Sequence, residues 1–181
     1  MVDNLTPLNP LQDMILERTD FHKSSKETIH GMVAVMRTNA SDNNFRNLVK
    51  ELDSDLRARY NNFSYEYDAN IQVDNLETVV TANIGDVTIG CGCFKEISAD
   101  SVEIKRMFVN PYFRGLGVSS SVLTELLDWV KELNYTYAVL ETGFEQQESI
   151  SLYKKHGFAV IKNFEPYVNI IESICMGKLL E

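Results

Sequence analysis

Apolar and polar residues alternate along MVAVMRT from Met32, and the period changes near Ser41, beyond which Phe45, Leu48, Val49, Leu52 and Leu56 recur every three or four positions. The pattern predicts a strand followed by a helix that starts at Ser41 or Asp42. After Tyr60 comes NNFSYEYDAN, a turn-prone stretch carrying Phe63, Tyr65 and Tyr67. Two β-rich runs, LETVVTAN and VTIGCGCFKEI, join around Gly85 and Asp86 and read as a hairpin. A further strand, SVEIKRMFV, stops at Asn110 and Pro111, because proline lacks the ladder donor and restricts the residue before it.

The next helix is firmly amphipathic: Val118, Val122, Leu123, Leu126, Leu127, Val130 and Leu133 share one side. Asn134 and Tyr135 close it, YAVLETG reads as a strand, and QQESISLYKKH reads as a short helix. Lys154, Lys155 and His156 suit that helix's negative end, and Gly157 suits its left-handed stop. Apolar runs around Phe158 to Ile161 and Ile174 to Leu180 predict a terminal strand pair. Strand, helix, three strands, helix, strand, helix and two strands make an α/β or α+β layer around one mixed sheet. Its one strand–helix–strand crossover, residues 101 to 143, puts a loop at the carboxyl edge of the sheet, where such folds usually hold ligands. Residues 1 to 30, with two of the four prolines and two of the three histidines, read as an N-terminal extension to a single domain spanning 31 to 181.

Composition narrows the partners. With 181 residues, 44% of them hydrophobic, the chain can bury a core without disulfide or structural metal. Twenty-six acids against 17 bases leave a net charge of −9, a field that repels polyanions, so nucleic acid is not an expected partner. Cys91, Cys93 and Cys175 show no zinc-like spacing and read as buried, reduced thiols, with no metal expected. Neither a signal peptide nor a run long enough for a membrane span is present in the sequence, and a cytoplasmic location with no membrane partner is expected.

The loop NPYFRGLGVSSSVL departs from this acidic background: from Lys105 to Thr124 there are three bases and no acid, where composition predicts about three acids. The first turn of the helix also lacks the Asp or Glu that normally complements its positive end. Gly115 and Gly117 allow a tight turn and expose successive amides, a geometry suited to phosphate oxygens. The alternative is a glycine turn that merely begins a helix. A P-loop is excluded, since GxxxxGK[ST] does not occur. A dinucleotide fingerprint is a near miss: Ser120 replaces the third glycine, although Glu141 lies at the end of the next strand like a ribose ligand. Five residues separate the strand from the first glycine, and about 100 residues precede this unit, both contrary to that fold.

At these residues the chain resembles the GNAT superfamily of acetyl-CoA-dependent N-acetyltransferases. Arg114, Gly117 and Ser119 occupy its pyrophosphate motif, with Ser119 departing from the usual Gly or Ala. The similarity runs through VEIKRMFV, AVLETG and SISLYKKHGF, over roughly residues 31 to 180. It implies a mostly antiparallel mixed sheet flanked by helices, and acetyl-CoA as co-substrate. Pantetheine would run along Met107, Phe108 and Val109, and the amides of Arg114, Gly115, Leu116, Gly117, Val118 and Ser119 would take the pyrophosphate. Gln146 stands where many members have asparagine beside the cofactor, and Tyr153 matches the family's frequent general acid.

Tyr153 also has an independent case, because a phenol, with a pKa of about 10, stays protonated at neutral pH and can donate as a thiolate leaves. Its alternative role is a core tyrosine packing with Ile150. For the proton of the amine, the candidates are Glu103, which alternation places on one face with Lys105 and Met107, and Glu141, which shares a face with Tyr137 and Val139. Either can equally be a solvated strand end or an ion-pair partner of Lys105 or Arg106. The implied reaction is acetyl transfer to a primary amine, on a small molecule or a protein, by direct attack without a cysteine relay. The alternatives are an acyl-CoA-binding sensor of the same fold and the dinucleotide-dependent oxidoreductase. The aromatic group of Tyr60, Phe63, Tyr65 and Tyr67 falls in the region that shapes the acceptor site in relatives, its alternative role being to close the core, and Tyr167 carries the same two readings. Homodimerisation is common among members, and nothing in the sequence specifies an interface.

Overall fold

A computed structural model describes residues 32–60 and 76–181. The expectations for residues 1 to 30 and for Phe63, Tyr65 and Tyr67 lie outside the described residues. Seven strands form one sheet: β1 (Ala34–Thr38), β2 (Val79–Ile84), β3 (Val87–Glu96), β4 (Ser101–Val109), β5 (Tyr137–Gly143), β6 (Ala159–Val160) and β7 (Ser173–Leu179). The helices are α1 (Asn43–Arg59), α2 (Val118–Glu132) and α3 (Gln147–Lys155), with a 3-10 turn at Pro111–Phe113. The spatial order is β1-β2-β3-β4-β5-β7-β6, and among the described residues only β4 and β5 are parallel. The element order matches the reading of the sequence.

Of the two start positions offered for α1, the cap is Asp42, whose carboxylate accepts from the amides of Asn44 and Phe45. Helix α1 lays Phe45, Leu48 and Val49 over Val79, Cys91, Cys93 and Phe108 on one face of the sheet. On the other face, Val122, Leu123, Leu126 and Val130 of α2 pack against Val80, Ile89, Val102, Ile104 and Leu140. Each such buried aliphatic side chain contributes about 1.5–3 kcal/mol. No described helix is long and apolar enough to cross a membrane.

One defect in this lattice shapes the rest. Cys91 pairs with Phe108 and Cys93 with Lys105, so Gly92 of β3 faces two residues of β4, Arg106 and Met107. Arg106 takes up the extra residue at φ 57, the left-handed region. The bulge reverses the alternation downstream of it. Met107 therefore packs on the α2 side with Val102 and Ile104, and Phe108 turns to the α1 side. This corrects the expectation that Met107 shares a face with Glu103 and Lys105: alternation holds only while every residue is paired. Arg106 instead joins the α1 side, where its Nη1 donates to Asp53 Oδ1 at 2.6 Å. The thiols of Cys91 and Cys93 donate to the carbonyls of Arg106 and Lys105 at 3.5 and 3.4 Å, serving acceptors at the bulge.

Two predictions follow from this lattice. A Cβ on Gly92 would lie 2.5 Å from Met107 Sδ and 2.9 Å from Leu126 Cδ1, so Gly92→Ala should destabilise by about 1–3 kcal/mol in chemical denaturation. An unchanged midpoint would show that the bulge has slack. Burial pushes the Cys93 thiol up to about 12 and raises Cys91 well above its ordinary value. Both raised thiols stabilise the fold below the ordinary thiol range of about 8.5 and lose that contribution as pH climbs toward their folded values. Thiol-reagent kinetics should find Cys91 and Cys93 silent until the protein unfolds.

Candidate active site

Pairing between β4 and β5 ends at Ile104 and Leu140, just before the bulge. Beyond it the strands diverge, leaving a cleft between Lys105–Val109 and Glu141–Gly143. Two cavities occupy it and share Leu52, Leu56, Met107, Gln146, Ser149 and Tyr153.

The larger, about 460 Å³, runs from Met107, Phe108 and Val109 to the start of α2, with α3 and the end of α1 as its other walls. Arg114, Gly115, Gly117, Val118 and Ser119 line it, as does Gln146. Leu116 does not: its side chain turns inward and packs on the core beneath α2. Gly115 and Gly117 sit at φ 77 and 84, which glycine adopts without the steric cost a Cβ brings. Gly117 is the N-cap of α2, no side chain caps it, and the first turn holds no acid. Among the described residues, the amides of Gly115 through Ser120 donate to no protein acceptor. The amide of Arg114 is engaged by Pro111 O at 3.3 Å, so the run of open donors starts one residue later than expected.

Arg114 tethers the loop rather than pointing freely into the cleft: Nε donates to Val109 O at 3.0 Å and Nη2 to Asp55 Oδ2 at 3.2 Å. At the other side, Arg59 Nη1 donates to Glu148 Oε1 at 2.6 Å, tying the end of α1 to the first turn of α3. Asp55 and Arg59 were not singled out in the sequence, since only the packing of α1 on β3 and β4 brings them here. Lys155 also lines this cavity, whereas His156 ends α3 with its carbonyl accepting from Lys178 Nζ.

The smaller cavity, about 90 Å³, gathers the two predicted carboxylates, Glu103 and Glu141, with the phenol of Tyr153. Tyr153 is 6% exposed and stacks edge-on to Phe158 at 5.9 Å. Burial, and then the charge of Glu141, push its pKa above the usual phenol range, so it stays a proton donor. Glu141 Oε1 accepts from Ser173 Oγ at 2.6 Å. Glu103, 4% exposed, is part of a closed ring: Lys105 Nζ donates to Glu103 Oε1 at 2.8 Å and to Tyr167 Oη at 2.9 Å, and Tyr167 donates to Glu103 Oε1 at 2.7 Å. Burial and the adjacent Glu103 carboxylate raise the Tyr167 pKa. Tyr167 comes from the loop between β6 and β7, a long-range approach that local pattern does not encode. Tyr60, the C-cap of α1, packs its hydroxyl against Gly143, beside Gln146.

The open amides can hold an anion, and the phenol and carboxylates can move protons at the end of the same cleft. Residues 45–158 match the model of the acetyltransferase (GNAT) family. The chain is 32% identical over 128 residues to an IAA acetyltransferase of Azospirillum brasilense, covering 66% of this chain and 80% of that protein. An uncharacterized N-acetyltransferase of Dictyostelium discoideum is 42% identical over 65 residues, 36% of this chain and 29% of that one. Among solved structures, a GNAT-family acetyltransferase from Staphylococcus aureus Mu50 superposes with a TM-score of 0.67 at 18% identity, over 82% of this chain and 99% of that one. One from Elizabethkingia anophelis with acetyl-CoA bound gives 0.63 at 18% identity, with the same coverage of both chains.

Gly117→Ala should raise the dissociation constant for acetyl-CoA at least tenfold in calorimetry, because the cap must hold a left-handed φ that costs a non-glycine residue about 1–3 kcal/mol. Unaltered binding would show that this turn does not hold the diphosphate.

Proposed function

The chain belongs to the acetyltransferase (GNAT) family, and on that premise we propose that it transfers the acetyl group of acetyl-CoA to a primary amine by direct attack in a ternary complex. The observation that carries this reading is the set of amides from Gly115 to Ser120 left open among the described residues, at a helix start whose first turn holds no acid and which no described side chain caps. They suit a diphosphate. Met107, Phe108 and Val109 wall the path from there to the smaller cavity. Cleft space of about 460 Å³ beside β4 fits a pantetheine arm entering between the diverged strands.

The acceptor amine enters the smaller cavity, where about 90 Å³ admits an amino group and the few atoms next to it, on a small molecule or an exposed protein amine. Glu103 or Glu141 removes the amine's proton, directly or through water. Tyr153, buried and held protonated, donates to the sulfur as its negative charge develops. No thiol is needed as a relay: Cys91 and Cys93 are fully buried and directed at the carbonyls of the bulge.

Tyr153→Phe should lower kcat by about 10²-fold or more in a thiol-release assay across an amine panel, while acetyl-CoA affinity changes little. An unaltered kcat removes Tyr153 from the mechanism, and tight binding with no thiol release in the native protein favours an acyl-CoA sensor. Glu103→Gln and Glu141→Gln should separate the carboxylates: the variant that loses the acid limb of the kcat profile identifies the base.

A further inference from the structure

The ring of Glu103, Lys105 and Tyr167 contains a primary amine that acetyl transfer to an external acceptor does not use. Lys105 is the first residue of β4 beyond the last pair with β5, and so stands where the cleft opens. Its side chain is 8% exposed and lies in the cavity that Tyr153 also lines. Nζ sits 2.8 Å from a carboxylate oxygen and 2.9 Å from a phenol oxygen, the partners a bound acceptor ammonium needs. The chain's own amine therefore borders the space proposed above for an acceptor amine.

We propose that Lys105 is a self-acetylation site, modified by the acetyl-CoA held in the adjoining cavity. The inference rests on the acetyl-CoA reading above. Glu103 takes a proton from the Lys105 ammonium, and the freed Nζ lone pair forms a bond to the thioester carbonyl carbon. The C–S bond then breaks, and the leaving sulfur takes a proton from Tyr153 to give free coenzyme A. The amine's second proton restores the Tyr153 phenol, and Glu103 releases the first to solvent. The product is an Nζ-acetyl amide: the charge opposing Glu103 is lost, and the acceptor cavity is partly filled.

The full-length protein is incubated with acetyl-CoA and no acceptor, and followed by intact mass and peptide mapping. One acetyl group per chain should appear on Lys105, ahead of the exposed Lys154 and Lys155, at a rate independent of protein concentration. Lys105→Arg, which keeps the charge but lacks the nucleophile, should abolish that gain, and Glu103→Gln should slow it at least tenfold. Calorimetry on the same preparation separates the two readings. Binding of acetyl-CoA without acetylation of Lys105, or with equal labelling of the exposed lysines, overturns self-acetylation alone and leaves the ammonium a counter-ion to Glu103. Absence of binding overturns the cofactor reading and this inference with it.

Discussion

A single residue too many in β4 governs this structure. With Arg106 in the left-handed region and Gly92 facing two partners, β4 stays paired with β3 only across a one-residue register shift. The parallel ladder with β5 ends just before it, at Ile104 and Leu140. The cleft is the gap this creates. Its floor holds because buried groups satisfy the defect: the Cys91 and Cys93 thiols reach the carbonyls of Arg106 and Lys105 respectively, and Asp53 receives the Arg106 guanidinium. Leaving such groups unpaired in the interior would cost about 1–3 kcal/mol each.

The bulge also sorts the side chains. By placing Lys105 and Arg106 on the α1 side and returning Met107 to the α2 side, it puts charged groups where the smaller cavity lies and an apolar one against the core. The two cavities thus differ in kind. One ends in unshared main-chain donors at a helix start; the other is enclosed by carboxylates, phenols and an ammonium. Tyr153 borders both.

Around the larger cavity, ion pairs do the tethering. Arg114 with Asp55 and Arg59 with Glu148 connect α1 to the loop and to α3. Partly exposed pairs of this kind are worth little to stability, about 0–1 kcal/mol. Their consequence is local: they set which cations face the cleft while the chain as a whole carries a net charge of −9.

The elements themselves were written in local pattern. Period-two and period-3.6 repeats fix β4 at Ser101–Val109 and β5 at Tyr137–Gly143, and the glycines and uncompensated helix start mark the loop of open amides, because each depends on neighbours in sequence. The Glu103–Lys105 pair belongs to the same class, two residues apart on one strand. What the chain could not show alone was the bulge, and with it the side on which Met107 falls, the arrival of Tyr167 from a distant loop, and the reach of Asp53, Asp55 and Arg59 from α1. All of these depend on register between strands and on which helix covers which face. Such relations arise only when residues far apart in sequence compete for the same buried space, and tertiary packing decides them.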